Sequence, residues 1–309
     1  MKKTKNLALV LSVVMLFAMI AGCGQNTDPS ADSGAVTVTD MTGREITIEE
    51  PVTKVVALTA ADCEILFAIG AGDTLVGRGE FCDYPAEIAD VPAVESGSET
   101  NIEQIIALAP QVVFMNTMAQ TEEQVQQLED AGITVVVSEA KDIEGVYFAI
   151  DMIGAVMGKT DEAAAVVDKM KATFKDIEEK STADGSPTVY FEVSPLQYGL
   201  WTAGSGTFMD EIAKMLGLTN AFADVKDWAQ ISEEQVIERN PDYIVTISMY
   251  YGEGPTPVEE ILSRPGWENV TAVKNKAILN LQNNELTRPG PRLAEGAEMM
   301  YEFISGGAK

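Results

Sequence analysis

The chain has 309 residues, with 48 acidic and 21 basic side chains, a formal net charge of −27, three cysteines and no histidine. The lack of imidazole excludes Ser-His-Asp triads, Cys-His dyads and the usual zinc and copper sites, and so acidic a surface is unsuited to nucleic acid. Its length exceeds one comfortable core, which predicts two lobes.

At the start, Lys2, Lys3 and Lys5 form a basic head. The apolar run at 7–20 has the length of a secretory leader, whereas a spanning helix needs about 20 apolar residues. Ala21-Gly22-Cys23 follows, two small residues before a cysteine, the pattern cleaved ahead of a diacylglycerol-modified cysteine. Residues 1–22 are therefore expected to be a lipoprotein signal peptide and Cys23 the lipidated residue, anchoring the chain to the cell membrane on its extracytoplasmic face. Cleavage takes away three lysines and no acid, leaving 18 basic against 48 acidic residues and a formal charge of −30. Residues 23–36 are rich in Asn, Thr, Asp, Ser and Gly and suit a flexible tether. With Cys23 modified, Cys63 and Cys82 remain, and an exported compartment permits a disulfide between them without requiring one.

Past the tether, 54–58 is an apolar strand, the turn at 59–62 caps the next helix, and another strand starts at Leu75. Glu103-Gln104-Ile105-Ile106 then precedes Pro110 and the apolar run 112–114. The same order returns at Glu234-Gln235-Val236-Ile237, Pro241 and 243–245, with seven residues from glutamate to proline both times. Each copy reads as helix, proline stop and buried strand, the unit of a parallel sheet. Each is preceded by an amphipathic helix closed by glycine, 64–69 before Gly70 and 208–216 before Gly217. Between the copies, Thr160–Lys180 sets Ala163, Val166, Val167, Met170, Phe174 and Ile177 on one face, one helix of about six turns. The expected fold is α/β, with a first parallel-sheet lobe over 37–158, a connecting helix over 159–183 and a second lobe over 184–309.

Loops at the carboxyl ends of parallel strands form the ligand crevice of such sheets. Here they are 59–62, 81–84 and 115–118 in the first lobe, and 194–202, 249–252 and 283–288 in the second. They carry Phe81, Tyr84, Met115, Met118, Tyr198, Trp201, Met249, Tyr250 and Tyr251, with Trp228 close by. Large flat and thioether side chains in segments that should be solvated point to a large, partly apolar ligand. Gly204-Ser205-Gly206 lacks the Lys-Ser/Thr of a phosphate loop and reads as a tight turn into a helix. Asp62, Asp83 and Glu285 have neither calcium-loop spacing nor that of a hydrolytic pair, so no catalytic or metal site is expected.

In chain order, Asp40-Met41-Thr42-Gly43-Arg44, Leu66-Phe67-Ala68-Ile69-Gly70-Ala71-Gly72, Phe81-Cys82-Asp83-Tyr84-Pro85, Asn101-Ile102-Glu103, Trp228-Ala229-Gln230-Ile231-Ser232 and Arg288-Pro289-Gly290-Pro291-Arg292 form one recurring set. This set resembles the helical-backbone (class III) substrate-binding proteins of ABC importers, which serve ferric siderophores, haem and cobalamin. The resemblance covers 38–304. It implies two Rossmann-like lobes joined by one long rigid helix, and a monomer that carries a metal chelate without turnover. It implies no resident cofactor, and an ABC permease with its ATPase as partners. By the same resemblance one exposed glutamate per lobe docks on the permease, at Glu103 and Glu234.

The segments Phe81-Cys82-Asp83-Tyr84-Pro85 and Trp228-Ala229-Gln230-Ile231-Ser232 are most similar to pocket segments of cobalamin-binding members. Carried over residue by residue, Phe81, Asn116, Trp228, Asn283, Asn284, Glu285, Leu286 and Thr287 would face the ligand; Tyr84, Trp201, Tyr250 and Arg288 complete the candidate set. Phe81 stands where those members have tyrosine, Gly97 where a tryptophan occurs, and 283–287 lacks their aromatics. A trianionic catecholate siderophore needs several Arg or Lys converging on it, and these loops supply mainly Arg288. Cobalamin or a hydroxamate siderophore is thus expected ahead of a catecholate. Haem stays open through a tyrosine ligand such as Tyr84 or Tyr250, as does an extracytoplasmic chelatase-like enzyme on the same fold.

Overall fold

The computed structural model describes residues 35–306 apart from Ser98, Met118 and Ala119. The expected leader, Cys23 and nearly all of the tether lie outside the described residues, and from Val36 onward the chain forms one compact unit. It opens with an antiparallel hairpin of β1 (Val36–Thr39) and β2 (Glu45–Ile48). Its turn is held by Asp40, which accepts from the backbone and hydroxyl of Thr42 and from the backbone and guanidinium of Arg44. Arg44 also donates to the Val135 carbonyl, and Met41 N–H to that of Val137, so the hairpin is stitched to the first lobe.

That lobe is a sheet of β3 (Val55–Ala57), β4 (Leu75–Gly79), β5 (Ala93–Val94), β6 (Val112–Met115) and β7 (Thr134–Val137), all parallel, in the order β5-β4-β3-β6-β7. β3 and β6 are buried at every residue, as central strands covered on both faces require. The crossovers carry α1 (Ala60–Ala68), α2 (Ile102–Ala107) and α3 (Glu122–Asp130), and α4 (Ile143–Val156) follows the last strand. Thr59, Asn101, Thr121 and Asp142 cap their first turns. The connecting helix α5 runs over Thr160–Lys180, as its periodicity predicts, and buries Ala163, Val167, Met170, Phe174 and Ile177.

The second lobe repeats the plan with one strand fewer. Its elements are β8 (Thr188–Glu192), β9 (Trp201–Ala203), α6 (Phe208–Met215), β10 (Thr219–Asn220), β11 (Trp228–Gln230), α7 (Glu233–Arg239), β12 (Tyr243–Thr246), α8 (Pro257–Leu262), α9 (Thr271–Lys274), β13 (Ile278–Asn280) and α10 (Leu293–Ser305). The parallel order is β10-β8-β12-β13, and β9 with β11 forms a separate antiparallel ribbon. The repeated helix-proline-strand segments are α2 to β6 and α7 to β12, each feeding a strand that lies beside the first strand of its lobe. Mixed α/β lobes with parallel sheets and one long joining helix are thus present as expected.

Candidate ligand-binding site

In the second lobe the chain leaves β8 toward β10 on one side and enters β12 on the other, so the crevice between β8 and β12 is the topological switch point. A pocket of about 670 Å³ lies there. Glu192 and Val193 at the end of β8 form one wall, Ile247, Ser248, Met249, Tyr250 and Tyr251 after β12 another, and Asn284 and Thr287 contribute from beyond β13. Tyr198 closes the rim. The rings are largely solvent-facing, Tyr198 76% and Tyr251 82% exposed. Exposed aromatic faces above a partly apolar floor suit a broad, flat ligand.

The charge of this pocket is one-sided. Its lining includes Glu192, Glu253 and Glu260 and neither Lys nor Arg. Arg264, fully buried, is spent on these acids: it donates to both Glu192 oxygens at 2.6 and 2.8 Å and to both Glu260 oxygens. Burial still raises Glu192 above the usual carboxylate range. One cation against two carboxylates leaves the floor rich in acceptors.

The residues singled out from sequence are dispersed over the structure. Tyr250, Asn284 and Thr287 line the pocket, with Tyr198, Met249 and Tyr251. Trp201 and Trp228 lie on the β9–β11 ribbon, outside the pocket lining, where Trp201 also bridges to Ser194 and the Trp228 ring packs 5.6 Å from that of Phe208. Phe81 is 72% exposed on the first lobe, Asn116 is half-buried after β6, and Met118 lies outside the described residues.

The others have structural duties. Leu286 is fully buried in the core, so the expectation that its side chain meets ligand is corrected: its apolar bulk anchors the loop that presents Asn284. Glu285 is 8% exposed and accepts from the Asn283 backbone. Asn283 in turn gives its carbonyl to Arg292.

Arg288 and Arg292 are joined to the first lobe. Both donate to Glu64 of α1, Arg288 at 2.9 Å and Arg292 at 2.6 and 2.9 Å. Arg288 also pairs with Asp83 at 2.6 Å and donates to the Phe81 carbonyl. The Arg292 guanidinium lies 4.0 Å from the centre of the Tyr84 ring. Tyr84 thereby lines a different groove, of about 990 Å³, with Glu64, Met170 and Arg292. Arg288 and Arg292 thus form an inter-lobe latch with Glu64, and neither Arg288 nor Tyr84 is among the residues lining the β8–β12 pocket.

Cys63 and Cys82 are buried free thiols. The Cys82 thiol that hydrogen-bonds it, together with burial, pushes Cys63 well above the usual thiol range. Asp62, at the first lobe's own switch point, is fully buried; Thr59 Oγ1 donates to its Oδ2 at 2.6 Å while Oδ1 has no hydrogen-bond partner. Burial raises it to about 7. Glu103 and Glu234 are exposed in the first turns of α2 and α7.

Sequence reasoning missed Glu192, Glu260, Glu64 and Arg292. For Glu192 a signal existed, a carboxylate closing the apolar strand Val189-Tyr190-Phe191. Glu64 sits among apolar helix residues, where an acid needs a partner from elsewhere; nothing local names that partner.

The chain matches the periplasmic binding protein family over residues 55–285. An uncharacterized ABC transporter substrate-binding lipoprotein, YvrC of Bacillus subtilis (strain 168), is 36% identical over 311 residues, covering 96% of this chain and 95% of its own. The vitamin B12-binding protein of Salmonella choleraesuis (strain SC-B67) is 26% identical over 257 residues, covering 82% and 90%. The solved structure of an ABC-type Fe3+-hydroxamate transport system from Saccharomonospora viridis aligns with a TM-score of 0.71 at 25% identity, covering 87% of this chain and 98% of that one. A lobe built twice, a single long joining helix and a pocket at a switch point agree with these matches, and the chain belongs to the periplasmic binding protein family.

Proposed function

We propose that the protein is the lipid-anchored, extracytoplasmic substrate-binding component of an ABC importer, and that its cargo is a bulky metal chelate without net negative charge, cobalamin or a ferric hydroxamate. It binds one chelate per chain as a monomer, without turnover, and hands it to a permease coupled to an ATPase. Relatives named for ABC transport, vitamin B12 and Fe3+-hydroxamate support the class.

The observation that selects within the class is the charge of the pocket. Its lining holds three glutamates and no cation, and the arginines closest in sequence to it, Arg264, Arg288 and Arg292, are each paired with carboxylates. A tricatecholate or a haem propionate would enter beside unbalanced negative charge. The amides of cobalamin or a hydroxamate shell bring donors that the more exposed Glu253 and Glu260 can accept, and an apolar face that the tyrosines can cover.

Purified mature protein titrated with cyanocobalamin, a ferric hydroxamate, haem and a ferric tricatecholate, read by native mass spectrometry and by tyrosine and tryptophan emission, tests this. A 1:1 complex is expected with a neutral chelate, at least roughly tenfold tighter than with either anion. Tightest binding to haem or the catecholate, or no complex with any of the four, overturns the assignment.

A further inference from the structure

Four residues recur in α2 and α7: Glu103-Gln104-Ile105-Ile106 and Glu234-Gln235-Val236-Ile237. Two of the four have internal duties in both copies. The Gln104 N–H donates to the Asn101 side chain and its amide to the Ala93 carbonyl, while Gln235 completes a capping box with Ser232. Ile105 and Val236 are each 0% exposed and anchor their helices to the lobe cores. The glutamate and the last isoleucine face outward in both copies, Ile106 40% and Ile237 37% exposed. Three residues apart on a helix, they share one face.

A single exposed isoleucine is ordinary. Glu234 also makes local hydrogen bonds with Ser232 and its own backbone, yet the same acid and isoleucine recur exposed on one helix face in both lobes, and this points to something outside that reads both. We propose that Ile106 and Ile237 are apolar docking contacts beside Glu103 and Glu234, each seating in an apolar socket next to a cation on one of two equivalent permease subunits. This rests on the importer reading above. Two like patches, one per lobe, ask for a partner that offers its socket twice, as a two-fold symmetric dimer does. A second copy of this chain would bring glutamate against glutamate, and a membrane surface with anionic lipid would repel a chain of charge −27.

The test uses the full-length chain with its cognate permease–ATPase complex in nanodiscs of zwitterionic lipid. Ile106→Ser with Ile237→Ser is expected to weaken docking roughly tenfold or more, mainly by faster dissociation, with the salt dependence of association kept. Glu103→Gln with Glu234→Gln should instead lower association and flatten its salt dependence. Cyanocobalamin affinity and melting temperature should be unchanged in both pairs, since all four side chains are exposed. Wild-type docking by the isoleucine pair alongside weakened docking by the glutamate pair overturns this inference and leaves the importer reading standing. Wild-type docking by both pairs overturns the docking face itself. Crosslinking gives a second readout: with Cys63 and Cys82 buried, Ile106→Cys and Ile237→Cys place an accessible thiol on each patch, and each should crosslink to one permease subunit. Crosslinks to lipid or to a second copy of the chain overturn the assignment of the partner.

Discussion

Asp62 shows what a single buried side chain can impose. Its carboxyl is raised from 3.8 to about 7 by burial, which outweighs the opposing pull of the Thr59 and Ser138 hydroxyls. Between those two values the folded state holds a proton that the unfolded chain has already lost, so stability falls as pH rises through that window. Three units correspond to about 4 kcal/mol as an order of magnitude. Asp62→Asn keeps the shape and cannot ionise, so urea unfolding of this variant should lack the part of the decline between about pH 4 and 7 that wild type shows. Equal slopes for the two proteins would mean that Asp62 is ionised and paired in the folded state. Glu192 and Glu211 are raised by burial in the same direction, so the difference between variant and wild type is the informative quantity.

Among elements, the latch is the feature with most at stake. Glu64 of α1 is almost fully buried and serves two guanidiniums from the segment between β13 and α10. Glu64→Gln leaves Arg288 and Arg292 partly desolvated without that counter-charge, and is expected to cost roughly 3 kcal/mol and to lower Tm by roughly 5–10 °C. Asp224→Asn, which breaks the solvent-exposed pair with Arg239, should barely move it. Similar melting points for these two variants would show that the latch adds nothing beyond a surface pair. The latch also explains where sequence reading stopped. Helix α5, the strands at β3 and β6, the duplication and the loops that carry Tyr250, Asn284 and Thr287 were legible, because periodicity, caps and proline stops are local signals. The pairing of Glu64 with Arg288 and Arg292 joins residues more than 220 positions apart. Spacing carries no trace of such a contact, and a loop arginine reads alike whether or not a distant carboxylate holds it. Leu286 failed for the same reason, since a leucine in a polar loop reads alike whether it faces ligand or core.

At the scale of the whole molecule, three connections among the described residues stand out beside the apolar core that both lobes share. One is α5, whose 21 residues span about 30 Å. The second is the latch. The third joins the start of α4 to the start of α6, where the Phe208 N–H donates to the Lys141 carbonyl and Glu211 accepts from the Ile143 N–H at 2.7 Å. A hinge needs a few backbone positions free to turn without breaking other contacts, and a molecule tied at three separate places has few left. The pocket is correspondingly built within the second lobe and exists without the first lobe closing over it. Small-angle scattering of the free protein and of the protein saturated with cyanocobalamin should therefore give radii of gyration that agree within about 1 Å, the behaviour of a pre-organised site. Glu64→Gln, with one of the three connections weakened, should have the larger difference of the two proteins. A contraction of several ångströms in wild type would mean that the lobes swing about α5, and that the ion pairs between Glu64, Arg288 and Arg292 form only when ligand is bound.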